Sequence, residues 1–349
     1  MSTLPHVFGP GIAAHDPGDI IGYRRNGDPI RYIGGGAEAN FDHWIPEEFG
    51  SDVIKRVTQM SALESVAQRI PMGTQTRSTP RSGGISVGIV SKGGTYNEDT
   101  TTNDEVILNV QKFGEAIRIA EEDINDSLAD IVAAKQADWA TSYAKALDNA
   151  CLGVTVAKAT SGCKFDSLYY LLTQSDANTG YTANANITQT ATGGPQVTYA
   201  QLSTVCGIYE SGDYYEEGSS IIIAHPKYKA QLRTVVDTQG RPIFNEGTAG
   251  VAGGGQGGPI DTLFGTYPIK WSLGARTSST VTQAPTGNPL LIVCNPMYLL
   301  LGVRSGPESV FIDGRNGLGA LTDESILKMR SRRAFAIGHE NAFSILEQR

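Results

Sequence analysis

The sequence predicts a mixed α+β fold in which one long helix accompanies several paired strands. The helix prediction rests on the run 115–152, which holds no glycine or proline and repeats apolar residues every three or four positions. Two strands are predicted from the alternating residues of 85–89 and 106–110. Between these strands lies a long polar stretch, 91–104, that is rich in acids and amides. Long excursions of this kind usually make contacts or carry function.

The composition describes a folded chain with an acidic balance. Its 349 residues are 40% hydrophobic and 18% charged, which allows about two domains with a substantial core. The 36 acidic and 28 basic residues give a net charge of −8, so the chain lacks the basic field that general DNA or RNA binding needs. A protein that grips nucleic acid is therefore disfavoured.

Residues 1–57 carry glycine and proline at close intervals and show no sustained helical or strand period. Disordered tails rarely contain aromatic residues such as Trp44 and Phe49. We therefore expect an extended arm that orders against a neighbouring surface. Its basic residues, among them Arg24 and Arg25, are candidates to pair with the acids of the polar stretch.

The strands at 85–89 and 106–110 are expected to pair as a hairpin, because both have the two-residue period of a half-buried strand. Hairpin loops usually hold about two to five residues, so the stretch 91–104 makes an unusually long tip. The segment 70–84 just before the hairpin contains prolines and glycines and is expected to interrupt regular structure.

A helix is expected over about 127–151, with Asp126 or Ser127 as its N-cap. Three acids at 121–123 lie on its N-terminal side, where the helix dipole favours negative charge. At about 1.5 Å per residue this helix would be about 37 Å long. We expect it to act as a structural strut.

Strands, helices and glycine turns alternate in the second half of the chain. The segment 173–196 is rich in Thr and Asn and is expected to form an extended loop or an edge hairpin. A helix is expected from about residue 199, followed by a buried strand that Pro226 stops and then a short helix. The stretch 247–259 is expected to form a flexible glycine loop.

The last part of the chain is expected to form a long strand. Lys328, Arg330 and Arg332 alternate there with other residues, which is the period of a strand with one basic face. A basic run can touch nucleic acid, but strand alternation favours a solvated or ion-paired face.

No motif in the sequence points to catalysis. The loop 247–259 lacks the Gly-Lys-Ser/Thr ending of a phosphate-binding loop, and His339 lacks the second histidine that a zinc protease needs one helical turn later. No GxSxG elbow is present, and the four cysteines have no CxxC spacing, which is typical of idle thiols in a reducing compartment. We predict no enzyme, no cofactor and no metal site.

No secretory leader and no apolar run long enough to span a bilayer are found in the sequence. We therefore expect no membrane association.

The order of these features is more specific than any single motif. After the arm and the two-stranded excursion come five runs: VILNVQKFGEAIRIAEEDINDSLADI, IIIAHPKYKAQLRTVVDTQGRPIF, DTLFGTYPIKWS, NPMYLLLGVRSGPESVFID and MRSRRAFAIGHENAFSIL. From about residue 58 onward this succession resembles the major capsid proteins of tailed bacteriophages, which have the HK97-like fold.

The resemblance implies a division of the chain into structural parts. The arm would wrap a neighbouring subunit, the E-loop would lie over an adjacent subunit of the same capsomer, and the axial domain would gather at the capsomer centre. The implied parts are an N-terminal arm over 1–57, a first peripheral segment over 58–82, an extended E-loop hairpin over 83–111, the peripheral domain with its spine helix over 112–198, an axial domain over 199–318 and a terminal peripheral strand over 319–349.

The resemblance also implies a function. The chain would be the major capsid protein of a tailed double-stranded DNA bacteriophage, and it would assemble through hexamers and pentamers into an icosahedral shell around the genome. Its acidic net charge suits a container that encloses DNA without binding it specifically. The implied partners are further copies of the chain, a portal, a scaffolding protein and a decoration protein. The implied location is the virion capsid, after assembly in the host cytoplasm.

The resemblance places inter-subunit contacts on the arm and on the E-loop. Some relatives join subunits by an isopeptide bond between lysine and asparagine, and Lys92 stands where an E-loop lysine would; non-covalent contact is the alternative. The contact candidates are Arg24, Arg25, Trp44, Phe49, Lys92, Tyr96, Glu98, Asp99 and Asp104.

Two other functions stay open at this point. An encapsulin-like bacterial compartment would share the fold but hold enzyme cargo; the long arm, rich in glycine and proline, favours the viral interpretation. A surface-binding or adhesive protein is the alternative from a different class. The lack of an export signal counts against it.

Overall fold

The computed structural model divides the chain into two units, Met1–Ser51 and Asp52–Arg349. In the first unit the described residues form two short strands, β1 (Ile20–Tyr23) and β2 (Pro29–Arg31), which pair antiparallel. The structure describes residues 20–23, 29–31, 60–85, 87–96, 98, 103–126, 130–191, 193, 196–246, 261–312 and 323–349.

The larger sheet of the second unit has seven strands. In spatial order they are β7 (Ile187–Gln189), β15 (Phe343–Glu347), β12 (Leu290–Cys294), β8 (Ile221–Ala224), β11 (Tyr267–Trp271), β10 (Thr262–Leu263) and β9 (Phe244–Asn245). β12 runs antiparallel to both β8 and β15, in the interior of the sheet. Every residue of β12 is buried, which explains why this run is continuously apolar instead of alternating.

The second sheet has four strands. In spatial order they are β3 (Gln68–Pro71), β13 (Leu299–Ile312), β14 (Glu324–Ile337) and β6 (Gln111–Ala120). β13 and β14 form a long antiparallel ladder, and β6 pairs antiparallel with β14. β6 is therefore an edge strand, and its outer side meets no other strand among the described residues.

A separate two-stranded sheet precedes β6 in the chain. It joins β4 (Thr76–Arg81) and β5 (Asp104–Asn109) antiparallel, from the pair Thr76 and Asn109 to the pair Arg81 and Asp104. Leu108 of β5 is buried and packs in a small apolar cluster beside the four-stranded sheet. The segment between Arg81 and Asp104 therefore projects from a paired base.

Seven helices lie in the described part of the second unit. They are α1 (Ala62–Val66), α2 (Glu121–Asp126), α3 (Ile131–Leu152), α4 (Lys158–Ser161), α5 (Leu168–Thr173), α6 (Tyr199–Glu210) and α7 (Lys227–Leu232). Short 3-10 turns follow β12 and β14, at Pro296–Tyr298 and Glu340–Ala342. With 22 residues, α3 is the longest of these helices and spans about 33 Å.

The predicted long helix is confirmed, but its start is later than expected. Asp130 is the N-cap of α3, and its carboxylate accepts a hydrogen bond from the backbone N–H of Ala133 at 2.9 Å. Asp126, one of the two predicted caps, instead ends α2, and Ser127 lies outside the described residues. Asp130 caps because it directly precedes the first residue of the apolar period, Ile131.

The core of the second unit joins the two large sheets. Leu147 and Cys151 of α3 lie in one apolar cluster with Ile292 of the seven-stranded sheet and Phe335 of the four-stranded sheet. A second cluster lies on the other face of the seven-stranded sheet and includes residues of α6 and α7, such as Leu202. Neighbouring residues of β8 and β12 alternate between the two clusters, as the pleat of a strand requires.

Asp148 ties the beginning of this unit to its longest helix. The side chain is buried and accepts hydrogen bonds from the backbone N–H of Ala62 at 3.0 Å and from the hydroxyl of Ser272 at 2.6 Å. The hydroxyl of Ser61, which also caps α1, donates a third bond. Burial raises the pKa of the Asp148 carboxyl.

The hairpin was predicted in the wrong place. Its first strand is β4, within the segment 70–84 that was expected to interrupt regular structure, and described residues of 85–89 form no strand. Pro71 and Pro80 are tolerated because β3 and β4 each have one side that pairs with no described strand, where a missing N–H breaks no ladder. The alternation at 85–89 is real, but no strand among the described residues pairs with that segment.

The rest of the predicted order is confirmed. The helix near residue 199 is α6, the strand stopped by Pro226 is β8, and the basic terminal strand is β14. The segment 173–196 is mostly loop and supplies β7, which pairs parallel to β15 at the edge of its sheet. The glycine loop at 247–259 lies outside the described residues.

Candidate contact surface

The paired strands β4 and β5 form the base from which the segment 82–103 projects, and one arginine, Arg81, holds this base together. The Nε of Arg81 donates to Asp104 at 2.7 Å, and its Nη2 donates to the other oxygen of the same carboxylate and to Asp176 at 3.0 Å. Nη1 donates to the carbonyl of Gly338 at 3.3 Å and lies 3.7 Å from Glu340. The hydrogen bond from Arg81 lowers the pKa of Asp104, so the pair is held in its charged form. One side chain thus joins β4 and β5 to two distant loops.

An aromatic contact supports the same base. The ring of His339 stacks on Tyr214, with ring centroids 4.0 Å apart, and its Nδ1 accepts a hydrogen bond from the backbone N–H of Asn341. Burial lowers the pKa of His339 and raises the pKa of Glu340. The neutral ring therefore packs beside the Arg81 cluster without adding a second positive charge.

Beyond this base the segment exposes large apolar side chains. Ile85 is 74% exposed, Val87 is 97% exposed and Ile89 is fully exposed. In an extended chain the three alternate positions point to one side. The described residues of 82–90 make no backbone-to-backbone hydrogen bond with any other described part of the chain. This is the most exposed apolar stretch that the structure describes.

The tip beyond this stretch is polar. Lys92 and Gly93 form a turn that the backbone N–H of Gly94 closes on the carbonyl of Ser91 at 2.8 Å. Gly93 has a φ of 80°, which a residue with a side chain rarely adopts. Tyr96, another predicted contact residue, is 82% exposed.

The other predicted contact residues differ in where the structure places them. Glu98 is exposed, whereas the carboxylate of Asp104 is already bound to Arg81 within the chain. The contact roles of Lys92, Tyr96, Glu98 and Asp104 stay predictions. Five candidates lie outside the described residues: Arg24, Arg25, Trp44, Phe49 and Asp99.

A groove that was not predicted lies between α3 and the edge strand β6. It has a volume of about 490 Å³, and its apolar lining includes Phe113, Ile117, Trp139 and Met329. Trp139 stacks on Tyr143 with ring centroids 5.1 Å apart, which holds the wall of the groove in place. Phe113 and Ile117 are an even number of residues apart, which is a signal that they share a strand face, but their neighbour across the groove could only be found from the fold.

One arginine of the basic face predicted for the terminal strand is ion-paired, and two further arginines form ion pairs near it. Arg330 donates to Glu308 on β13 at 3.1 Å, and on the opposite side of the ladder Arg118 of β6 donates to Glu324 at 3.3 Å. Arg333 is buried, and its Nη2 lies 2.8 Å from Glu64. These pairs favour a structural role for the charges over contact with nucleic acid.

The cysteine, histidine and acidic side chains of the described residues form neither a disulfide nor a metal-binding cluster. All four cysteines are buried free thiols, as predicted, and burial raises the pKa of each, that of Cys206 and Cys294 to about 12. Among the described residues, no cluster of three or more His, Cys, Asp or Glu side chains is arranged to hold a metal ion. Within the same part of the chain, no helix is long and apolar enough to cross a membrane.

Comparison with known proteins agrees with this architecture. The model of the phage capsid family matches residues 43–346. A structure from Mycobacterium phage Bobi is 14% identical and has a TM-score of 0.65 over 88% of this chain and 97% of that chain. A structure from Microbacterium phage Oxtober96 is 16% identical, with a TM-score of 0.62 over 90% and 99%.

A third structure, the capsid of a native GTA particle, is 14% identical and has a TM-score of 0.64 over 89% of this chain and 97% of that chain. At these identities the likeness establishes the HK97-like fold. No curated protein matches the chain.

The alternatives are not favoured. Neither the compartment nor the adhesive protein is supported by the family match, which spans most of the sequence. The predicted resemblance is confirmed: this chain belongs to the phage capsid family and is a major capsid shell protein of the phage type.

Proposed function

We propose that copies of this chain form hexamers and pentamers that close into an icosahedral shell around double-stranded DNA. The observation that carries the proposal is the exposed apolar stretch at Ile85, Val87 and Ile89, which stands on the base fixed by Arg81. Contiguous apolar side chains that a chain leaves uncovered usually mark an interface. The chain's role on this proposal is structural, and no catalysed reaction is part of it.

The parts of the chain would then have separate tasks. Residues 1–57 would wrap a neighbour, 83–111 would lie on an adjacent subunit, and 199–318 would gather at the capsomer centre. The helix α3 would stiffen the peripheral part, because it packs against both large sheets. The terminal residues 319–349 would belong to the peripheral domain through β14.

The remaining partners follow from the same proposal. A portal and a scaffolding protein would act during assembly in the host cytoplasm, and a decoration protein is a candidate for the outer surface. The net charge of −8 suits a wall that encloses DNA without fixing it, since each phosphate contact would oppose packing and release.

We propose that Lys92 makes its contact without a covalent bond. Its side chain is exposed at the turn, and its partner would lie on another copy. Shells boiled in detergent and separated on a gel should give only a monomer band. A ladder of covalent multimers that disappears in Lys92→Ala would contradict this.

Electron microscopy of the expressed chain, or of the native particle, tests the proposal most directly. Uniform icosahedral shells that contain DNA in the native particle are the expected result. Protein cargo inside the native shells would favour the compartment. A soluble monomer that persists at high concentration would overturn shell formation altogether.

A further inference from the structure

We propose that the turn 338–342 is an acid-operated latch on the base formed by β4 and β5. When the ring of His339 takes up a proton from solvent, it exchanges its hydrogen bond with Asn341 for one with Glu340, and the turn releases Arg81. The segment 82–103 is then held firmly at neutral pH and pivots more freely in acid. The consequence for assembly rests on the proposed function, because only there does the segment contact another copy.

The latch contacts the base through Arg81. The Nη1 of Arg81 donates to the carbonyl of Gly338 at 3.3 Å and lies 3.7 Å from Oε2 of Glu340. On its other side the turn is tied to the start of β13, since the N–H of Gly338 donates to the carbonyl of Tyr298 at 2.8 Å. A change in the shape of the turn therefore acts on its contact with Arg81.

The neutral ring of His339 holds the turn in its present shape. His339 is the N-cap of the 3-10 turn Glu340–Ala342, and its Nδ1 accepts a hydrogen bond from the backbone N–H of Asn341 at 3.2 Å. A ring nitrogen accepts a hydrogen bond only while it carries no proton. Protonation of Nδ1 therefore removes the cap of this turn.

Glu340 supplies an acceptor for the protonated ring. Its Oε2 is buried and receives no hydrogen bond from the described residues. The same oxygen lies 3.8 Å from Nδ1 of His339, so a shift of about 1 Å brings the two atoms within hydrogen-bond distance. A buried oxygen without a donor is unfavourable, which gives the protonated ring a defined second partner. Because Glu340 then moves towards the ring, its contact with Arg81 lengthens.

The charges around His339 favour the neutral ring in the closed latch. Burial lowers the pKa of His339, and the neighbouring guanidinium of Arg81 on β4 lowers it further. Three acids oppose this effect from β5, from the loop after α5 and from the loop after α6: Asp104, Asp176 and Asp213. A proton on the ring places a second positive charge near Arg81, which also favours release.

The sign of the pH dependence follows from these directions. Above pH 6.5, the ordinary pKa of histidine, the ring is neutral in both states and the latch is closed. As the pH falls below 6.5, the released state binds the proton more tightly, so release increases. Asp104 stays charged in this range, because its hydrogen bond with Arg81 lowers its pKa below 3.8. Burial raises the pKa of Glu340, which favours the closed state in acid; two proteins that both retain Glu340 share this effect.

Hydrogen exchange of the backbone amides of β4 and β5 tests the latch, because exchange in a two-stranded sheet reports local opening. It is measured on the unassembled full-length subunit at about pH 7.5 and about pH 5, with intrinsic exchange rates corrected. From the higher to the lower pH, protection should fall at least about threefold more in the unmodified chain than in His339→Asn. Asparagine is a good N-cap, so this variant removes the titration and keeps an acceptor. His339→Gln, with its acceptor on a longer side chain, is a second variant with the same expected result.

His225→Asn is the matched control. His225 is also buried, and its Nδ1 also accepts from the backbone N–H two residues later, that of Lys227 at 3.1 Å, but it follows β8 in the other large sheet. This variant should show the same fall at β4 and β5 as the unmodified chain. Equal falls in the unmodified chain and in the His339 variants would overturn the latch, and so would a fall that disappears in His225→Asn. Failure of the chain to form shells would overturn the proposed function but not the latch, which is measured on free subunits.

Discussion

At the base of the projecting segment, Arg81 places one guanidinium among three carboxylates. Asp104 and Asp176 accept its hydrogen bonds, and Glu340 lies 3.7 Å away. A lysine could not replace it, because only the planar guanidinium reaches two acceptors of Asp104 and a third side chain at once. The position of the segment therefore depends on this one residue.

Replacing Arg81 with alanine should lower the free energy of unfolding by about 2 to 4 kcal/mol, because three carboxylates would be left together in a partly buried site. Urea unfolding of the unassembled subunit measures the loss. Arg77→Ala is the control, since Arg77 is on the same strand and, within the described part of the chain, donates to the carbonyl of Pro71; it should cost about 1 kcal/mol or less. Equal losses would show that Arg81 has no special role.

His225 should make stability depend on pH between about 6.5 and 4. Burial, with Arg276 and Lys227 nearby, lowers its pKa to about 4, so the folded state binds fewer protons than the unfolded state in this range. Its contribution is full above pH 6.5 and is lost as the pH falls towards 4, by at most about 3 kcal/mol. The free energy of unfolding, measured across this range, should therefore fall less in His225→Asn.

The asparagine can keep the hydrogen bond that the backbone N–H of Lys227 donates to His225, so the variant removes the titration and little else. A difference between the two proteins that stays constant from pH 7 to 4 would rule out a buried neutral imidazole.

At the scale of elements, the features that depend only on neighbouring residues were predicted correctly from the sequence. The apolar period of α3 and the stop at Pro226 are visible in the chain, because a helix face and a missing N–H are properties of neighbouring residues. The strand predicted at 85–89 was wrong, since alternation shows that a strand could form but not that a partner is present. The groove beside β6 was missed for the same reason: its walls are far apart in sequence.

The correction at the start of α3 can be tested directly. Asp130→Ala should lower the free energy of unfolding by about 1 kcal/mol, because it leaves the N–H of Ala133 without its side-chain acceptor. Asp126→Ala is the control, since Asp126 ends α2 and should cost a few tenths of a kcal/mol at most. Thermal unfolding separates the two, and a larger loss in Asp126→Ala would restore the original assignment.

At the scale of the whole molecule, two surfaces of the second unit meet no strand among the described residues: the exposed apolar stretch at Ile85, Val87 and Ile89, and the outer edge of β6. The ion pairs of Arg81 hold the strands β4 and β5 beneath the apolar stretch. The core around α3 holds the sheet to which β6 belongs. A contact that uses different surfaces on the two copies can repeat from subunit to subunit and close into a ring. On the proposed function, such a contact would let copies of the chain form rings.

Deleting residues 94–103 should leave a folded subunit that assembles poorly. The deletion removes the tip but keeps Arg81 and Asp104, so the unfolding midpoint should change little while sedimentation shows fewer shells. A control with ten glycine and serine residues in place of 94–103 keeps the length and removes the side chains. Normal, equally heat-resistant shells from the deletion variant would contradict a contact role for the tip.

The exposed stretch also bears on whether free subunits stack on one another. Six-residue windows that are apolar, uncharged and strongly β-forming tend to stack into amyloid. In 84–89 each of the three branched residues follows a glycine or a serine, residues that weaken strand formation and leave gaps in a dry side-chain zipper. The same spacing that presents Ile85, Val87 and Ile89 to a partner therefore makes uncontrolled stacking of free subunits less favourable.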